Sequence, residues 1–498
     1  MRPVGTLALA ARSLRLDSRS ILIHGLRGGL ALMLLIALFG VYQTRTSFGA
    51  PGLNLYSAVI TIDFVFVSVL AVALFATAIT EERAEGSLGL MRMAGLSPLG
   101  VLAGKSISQL LVALSLLMVQ LPFSMFSVTL GGVSPHQVWS GFTLLGCYLL
   151  FCYGVGLLLS TCCRTGLVAS RSTLAVLAAV GLWPFAVAGV SQLLGAKYSP
   201  DALKQFTAWG ALRATTETSF GGAMFGPAAW IHLGGAVVCF LLAWLLFDTL
   251  ENRAVREPGN RRLLGFDHWG GDRRVPRFSG NAMMWKDYRL FVGGRRGVIL
   301  RVLVYGAGAV LLALLDNPFG ASFQRNRFGV HLLMLAGAGV VLDLGSLAGR
   351  VFRDEIAWQT YSSLLLLPKS VMQISYGKVM GCMSAVVAAL PFVVIGVLCA
   401  GGQILVLFGP ILLVYAAVLH LLLPLIAYAS LWLPRGAFPL TLFGFVTVIG
   451  SLFMLVAQLG PASCVFWLAL LLVSVIAAPK LHRRILERLR ELSGCDVG

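Results

Sequence analysis

Residues 81–105 read EERAEGSLGLMRMAGLSPLGVLAGK. A long apolar run leads into this stretch without a Gly/Pro-rich linker, and another leaves it. Charges come first (Glu81, Glu82, Arg83, Glu85), then the small pair Gly86-Ser87. An amphipathic segment with Leu88, Leu90, Met91, Met93 and Leu96 follows, and Ser97-Pro98 breaks it before Gly104-Lys105 opens the next apolar run. A half-apolar segment tethered at both ends to membrane-length runs cannot leave the membrane surface. It is expected to lie there as one or two short helices, apolar side down.

The stretch recurs 273 residues on (377 less 104), where Gly104-Lys105 falls on Gly377-Lys378. In the same register Glu81-Glu82 falls on Asp354-Glu355, Ser87 on Thr360 and Met91 on Leu364. Ala94–Ser97 falls on Leu367-Pro368-Lys369-Ser370. Shared membrane composition accounts for the apolar matches but not for the acids and the Gly-Lys, so the chain reads as two homologous halves.

Of 498 residues 58% are hydrophobic and only 12% charged, which excludes ordinary soluble classes. A helix of roughly 20 residues crosses the hydrocarbon. Spans are expected near 26–43, 56–80, 105–130, 138–161, 172–195 and 229–250, then near 297–316, 329–350, 378–400, 404–432, 437–459 and 462–479. The fold class that follows is an all-α polytopic membrane protein of about twelve transmembrane helices. Residues 1–250 make a first six-span domain, 251–296 a basic linker and entry helix, and 297–498 a second six-span domain with a basic amphipathic tail from Lys480. Residues 1–25 read as a basic amphipathic helix, Asn281–Arg296 as a second copy of it, and the loop 196–228 as an interfacial or re-entrant piece. The net charge of +18 lies in short loops beside apolar runs, where the positive-inside rule explains it without nucleic acid. That rule puts both termini, the linker and both charged stretches on the cytoplasmic side. No cleavable signal peptide is evident, because Arg12, Arg15, Asp17 and Arg19 follow the short run Val4–Ala11 at once.

Catalytic chemistry is not legible. Ala103-Gly104-Lys105-Ser106 looks like the end of a phosphate-binding loop, but position 99 is leucine where that loop needs glycine, and the segment opens a membrane span. The cysteines have neither disulfide nor metal-ligand spacing, so no metal or cofactor is expected. Asp63, Asp343 and His420 fall within apolar runs. They are candidates for a polar patch along a translocation path, or for interhelical hydrogen bonds and snorkelling near span ends. Gly345-Ser-Leu-Ala-Gly349 fits a small-residue packing pattern.

The organising stretch resembles the membrane subunits of type-2 ABC exporters, whose pattern is a charged cluster, Gly-Thr, a leucine-rich helix, a small or Pro residue, Ser and then Gly-Lys. Glu82-Arg83-Ala84-Glu85-Gly86-Ser87-Leu88 and Ala94–Ser97 with Gly104-Lys105 match it. The second copy matches in part, with Trp358-Gln359 in place of Glu-Gly. Asn281–Asp287 is similar to the connecting helix that opens such domains. The resemblance implies a permease that is not itself an enzyme, moving a substrate of unidentified class with ATP hydrolysed by two separate ATPase subunits. A bacterial inner membrane is the implied location. ATPase coupling is assigned by it to Glu81, Glu82, Arg83, Glu85, Gly86, Ser87, Met91, Met93, Leu96, Asp354, Glu355, Thr360, Leu364 and Pro368, with a charged rim around an apolar knob. The rival reading is an ion-coupled secondary transporter using the intramembrane acids.

The topology is checked by cysteine labelling of intact cells. Cysteines at Ser87, Thr360 and Asn281 should resist impermeant reagents, and those at Asn54 and Ser199 should react. Labelling of position 281 from outside would overturn the orientation.

Overall fold

A computed structural model describes residues 11–12, 14–15, 21–43, 50–84, 86–163, 165–193, 201–218, 220–256, 281–316, 325–357, 360–433, 436–457 and 463–493. Most of the first twenty residues, the arginine-rich part of the linker, Glu85, Ser199, Trp358 and Gln359 lie outside them. Every regular element among the described residues is a helix.

Nine of these helices are long and apolar enough to cross a membrane. They are Pro51–Arg83, Pro98–Thr129, Pro135–Cys162, Val168–Val187, Pro227–Leu250, Gly294–Ala313, Arg325–Ile356, Gly409–Trp432 and Phe466–Leu492. A tenth arises if Met372–Ala388 and Leu390–Ala400, bent by 46°, count as one span. Pro391 lies in the first turn after that bend and cannot donate back to the preceding turn, which is why the helix breaks there. The expected first and eleventh spans are present as shorter apolar helices, Ile23–Phe39 and Ala437–Gly450. Among the described residues the chain is thus all-helical, with the make-up of a polytopic membrane protein.

The chain divides into two compact units. The first comprises Met1–Pro184, Ser199–Arg273 and Val446–Gln458; the second comprises Phe185–Tyr198, Arg274–Phe445 and Leu459–Gly498.

In the first unit, Pro51–Ala73 passes through a 3-10 turn, Phe75–Thr77, into the helix Ala78–Ala84. It packs on Pro98–Thr129 and Pro135–Cys162 around Tyr56, Ile60, Leu117, Phe142 and Leu145. Small residues allow the approach: a Cβ on Gly156 would stand 2.6 Å from Phe75 Cβ. The loop 196–228 contributes a helix, Ala208–Thr215, whose Leu212 is buried in this core. Trp209 lies 5.3 Å from the Phe64 ring, and the Tyr56 hydroxyl donates to the Gln137 carbonyl (2.8 Å) and lies 3.2 Å from the Thr215 hydroxyl. This helix of the loop therefore packs into the unit's core.

The second unit packs around Tyr305, Leu332, Ala336, Leu344 and Phe392. Gly345, in the small-residue packing pattern, makes room for the Phe438 ring of the helix Ala437–Ala457, which a Cβ would meet at 2.2 Å. The basic tail is helical and amphipathic, as its sequence pattern predicts. It continues the last span as one helix, Ser463–Ser493, with Pro479 inside it. Its apolar residues Ile485 and Leu489 are buried in the core with Tyr361, because that stripe faces inward while Lys480, Arg483 and Arg484 face out.

Gly52 gives a sharp test of the packing between helices. A Cβ there would stand 2.1 Å from the Ser127 carbonyl oxygen and 2.3 Å from that of Gly131, both backbone atoms. Gly52→Ala should lower folded yield and thermal stability in detergent by about 1–3 kcal/mol. Gly181→Ala, with nothing within 4 Å, should leave them unchanged or slightly improved.

Candidate functional site

The organising stretch begins where the helix Ala78–Ala84 ends. Its opening amides, Ile79 N and Thr80 N, donate to the Ser160 hydroxyl at 2.9 and 3.2 Å. Ser160 thereby satisfies donors that the 3-10 turn before them leaves free. The Arg83 guanidinium donates to the Cys163 carbonyl (2.7 Å) and more weakly to that of Thr161 (3.3 Å), fixing the far end of this helix to Pro135–Cys162. Gly86 then turns the chain with φ 73°, a left-handed conformation that glycine adopts at little cost.

Glu82 sits inside that turn, only 4% exposed. The Ser87 hydroxyl donates to its carboxylate and, at 3.1 Å, to its backbone carbonyl. Lys105 approaches the same carboxylate to 2.5 Å from the helix Pro98–Thr129. That helix is opened by Ser97, whose side chain accepts from Gly100 N (3.1 Å). Between the two lies the short helix Ser87–Met93, whose Leu88 packs with Ile79, Val101, Leu102 and Phe247. Arg92 pairs with Asp248 at 2.7 Å. Leu90 and Met93 remain 64% and 78% exposed.

The second stretch is built alike. Glu355 is buried, the Thr360 hydroxyl donates to its carboxylate and backbone carbonyl, and Lys378 reaches it at 2.7 Å. The hydroxyl lies five residues after the acid in each case, and Lys378 lies 23 after Glu355 as Lys105 lies 23 (105 less 82) after Glu82. The following helix, Val371–Met383, again opens on a serine cap, Ser370. Leu366 is 87% exposed at the tip.

The second site adds charges. Lys286 pairs with Glu355 at 2.8 Å and Asp287 with Lys378 at 3.1 Å. Both come from the helix Ala282–Leu290, which lies directly on Val371–Met383: a Cβ on Gly381 would stand 2.7 Å from the Met284 carbonyl oxygen. Burial pushes the Asp287 carboxyl above the usual carboxylate range, against the pull of Lys378 and Lys286. Of the two acids on Lys378, Glu355 is the better held, since it also takes Lys286 and Thr360.

These placements correct one expectation. Glu82 and Glu355 form no exposed charged rim; each is turned inward onto its lysine, because an acid in the break between two apolar helices is stabilised there by a cation and a hydroxyl. Glu81 and Arg83 are half-buried, and Asp354 pairs with Arg350 at 2.8 Å. Met91, Leu96 and Leu364 are also half-buried, whereas Gly86 and Pro368 are exposed. The sequence reading left Lys105, Lys378, Lys286 and Asp287 out of the site, although the Gly-Lys recurrence was the signal for the first two.

Of the intramembrane candidates, Asp63 lies in the first unit and Asp343 and His420 in the second. Asp343 pairs with Arg301 at 3.2 Å, and His420 is exposed on its helix. Asp63 is fully buried and neither of its carboxylate oxygens has a hydrogen-bond partner. The side-chain polar atoms of Gln109, Gln120, Ser124 and Ser140 in the same unit are likewise unpartnered, a cost of roughly 1–3 kcal/mol each. No three His, Cys, Asp or Glu side chains stand together as metal ligands among the described residues. Compared with known proteins, the chain matches no family model and no curated sequence.

The buried second pair yields a graded prediction. Lys378→Met should cost about 3–5 kcal/mol of stability, since it strands two buried acids, and adding Glu355→Gln should recover part of the loss. Asp287→Asn should cost less than Glu355→Gln, because burial already disfavours the charged form of Asp287. Thermal unfolding of the four variants in detergent gives the order; equal losses at Asp287 and Glu355 would contradict it.

Proposed function

We propose that the chain is the permease component of an ATP-driven exporter of the type-2 ABC class, with two six-span membrane domains in one polypeptide. The observation that carries this reading is the twofold occurrence of one brace. In each, an acid, a hydroxyl and a lysine hold a short helix at the break between a membrane-length helix and the helix that follows it. Each leaves large apolar side chains exposed at the tip: Leu90 and Met93 in one, Leu366 in the other. A short helix rigidly tied to two spans, with an apolar tip outside the hydrocarbon, suits the transmission of movement from a docked ATPase into the membrane helices. The coupling segments are then the Ser87–Leu96 and Thr360–Pro368 stretches, and their apolar tips are the docking residues. Glu82 and Glu355 act as positioning residues behind them.

In this reading both tips, both termini and the linker face the cytoplasm of a bacterial cell, and the substrate crosses along the units' membrane helices. One copy of the chain pairs with two ATPase subunits. The two docking points are not equivalent, since only the second is tied to an entry helix through Lys286 and Asp287.

Two measurements test it. Leu90→Asp with Met93→Asp, or Leu366→Asp, should abolish co-purification of an ATPase subunit and ATP-dependent transport while membrane insertion stays normal. Native mass spectrometry of the detergent-extracted complex should give one copy of this chain with two ATPase subunits. Wild-type transport in both variants, or two copies of the chain per complex, would exclude the reading.

A further inference from the structure

Three of the unpartnered polar side chains of the first unit, Asp63, Gln120 and Ser124, fall at similar depth along its helices. Gly52 touches Ser127 at one end of the helices Pro51–Ala73 and Pro98–Thr129, and Glu82 pairs with Lys105 at the other. The two segments therefore run antiparallel, and interpolation between these contacts puts Asp63 level with about residue 119. Gln120 lies at that level and Ser124 one turn further along the same buried face, about 6 Å away along the axis. On Pro135–Cys162, the contacts Tyr56 with Gly141 and Ser68 with Tyr148 bracket Asp63.

Nearby donors are committed elsewhere. The Tyr56 hydroxyl is bonded to Gln137 and faces Thr215, and Tyr148 is bonded to Ser68. Among the cations on the packed helices, Lys105 is held by Glu82, and Arg27 donates to Ser115 with its buried Nε unpartnered, so no hydrogen bond joins either of them to Asp63. Cys147 and Cys152 are the remaining titratable groups on Pro135–Cys162 near this depth, and both are neutral thiols as free cysteines. A carboxylate about twelve residues into a 33-residue span, with no partner of its own, cannot keep its charge in hydrocarbon without a counter-charge.

We propose that Asp63, Gln120 and Ser124 form an intramembrane site in the first unit for a monovalent cation, either a proton or an alkali ion. The donor set is all oxygen, which suits a hard cation, and its single carboxylate balances one positive charge instead of two. The Gln120 amide oxygen and the Ser124 hydroxyl complete the shell that an isolated carboxylate lacks. The inference does not depend on an ATPase partner: the site follows from the buried oxygens alone.

The test uses the full chain purified in detergent. Thermal stability is followed in sodium, potassium and choline chloride of equal ionic strength, at acid and alkaline pH, together with infrared difference spectra on acidification. An alkali-ion site gives a rise in Tm with sodium or potassium over choline at alkaline pH. A proton site gives a rise on acidification, with a protonated-carboxyl band in the spectra. In either case Asp63→Asn removes the response and the band, and Gln120→Leu weakens the apparent affinity about tenfold. Identical responses in wild type and Asp63→Asn overturn the proposal. Should Asp63→Asn not fold, an unaltered response in Gln120→Leu and Ser124→Ala overturns it instead.

Discussion

A carboxylate held by a lysine and a hydroxyl inside a helix break organises both short-helix segments of the molecule. The geometry is demanding because a charge pair removed from water recovers its desolvation cost only when every lone pair is used. Glu82 uses Lys105 and Ser87; Glu355 uses Lys378, Lys286 and Thr360. Each arrangement bridges three elements at once: the end of one long helix, the start of a short one and the body of the next long helix. Moving the short helix without moving its neighbours would break the pair, so the segment travels with its spans.

The two braces differ in what else they hold. In the first, Arg92 reaches Asp248 on the helix Pro227–Arg256, a half-exposed pair worth little by itself. In the second, the entry helix is stitched in by Lys286 and Asp287 and by close packing at Gly377 and Gly381. Lys378 is fully buried and also lies 5.5 Å from the Phe291 ring, so the second brace is the drier of the two. A load applied to the second short helix is therefore shared with the entry helix, whereas the first passes it to its spans and to Asp248.

Much of this was legible in the residues. The register of 273 aligned Glu82 with Glu355, Ser87 with Thr360 and Lys105 with Lys378, and these six residues make the two braces. The positions of the apolar helices were also readable, since membrane-length apolar runs leave few alternatives. What the sequence could not supply was direction. A surface-looking acid beside an amphipathic run reads as solvent-exposed, and only the return of the next helix brings a lysine onto it. Helix breaks were equally hidden: the 46° bend before Leu390 needs Pro391 to be read against a helix already in place. The tail from Lys480 was legible as a basic amphipathic helix, but that its apolar stripe, Ile485 and Leu489, is buried in the second unit depends on the packing around it. Asp63 could be picked out as an intramembrane acid; that it lacks a partner depends on which neighbours Tyr56 and Tyr148 have already engaged.

The central claim is that the buried acid–lysine pairs hold the two short helices in place. Amide hydrogen exchange on the full chain, comparing wild type with Lys105→Met and Lys378→Met, tests it most directly. The account predicts faster exchange confined to residues 87–93 in the first variant and to residues 361–365 in the second, with the flanking spans still protected. Unchanged protection of those short helices in both variants would contradict it.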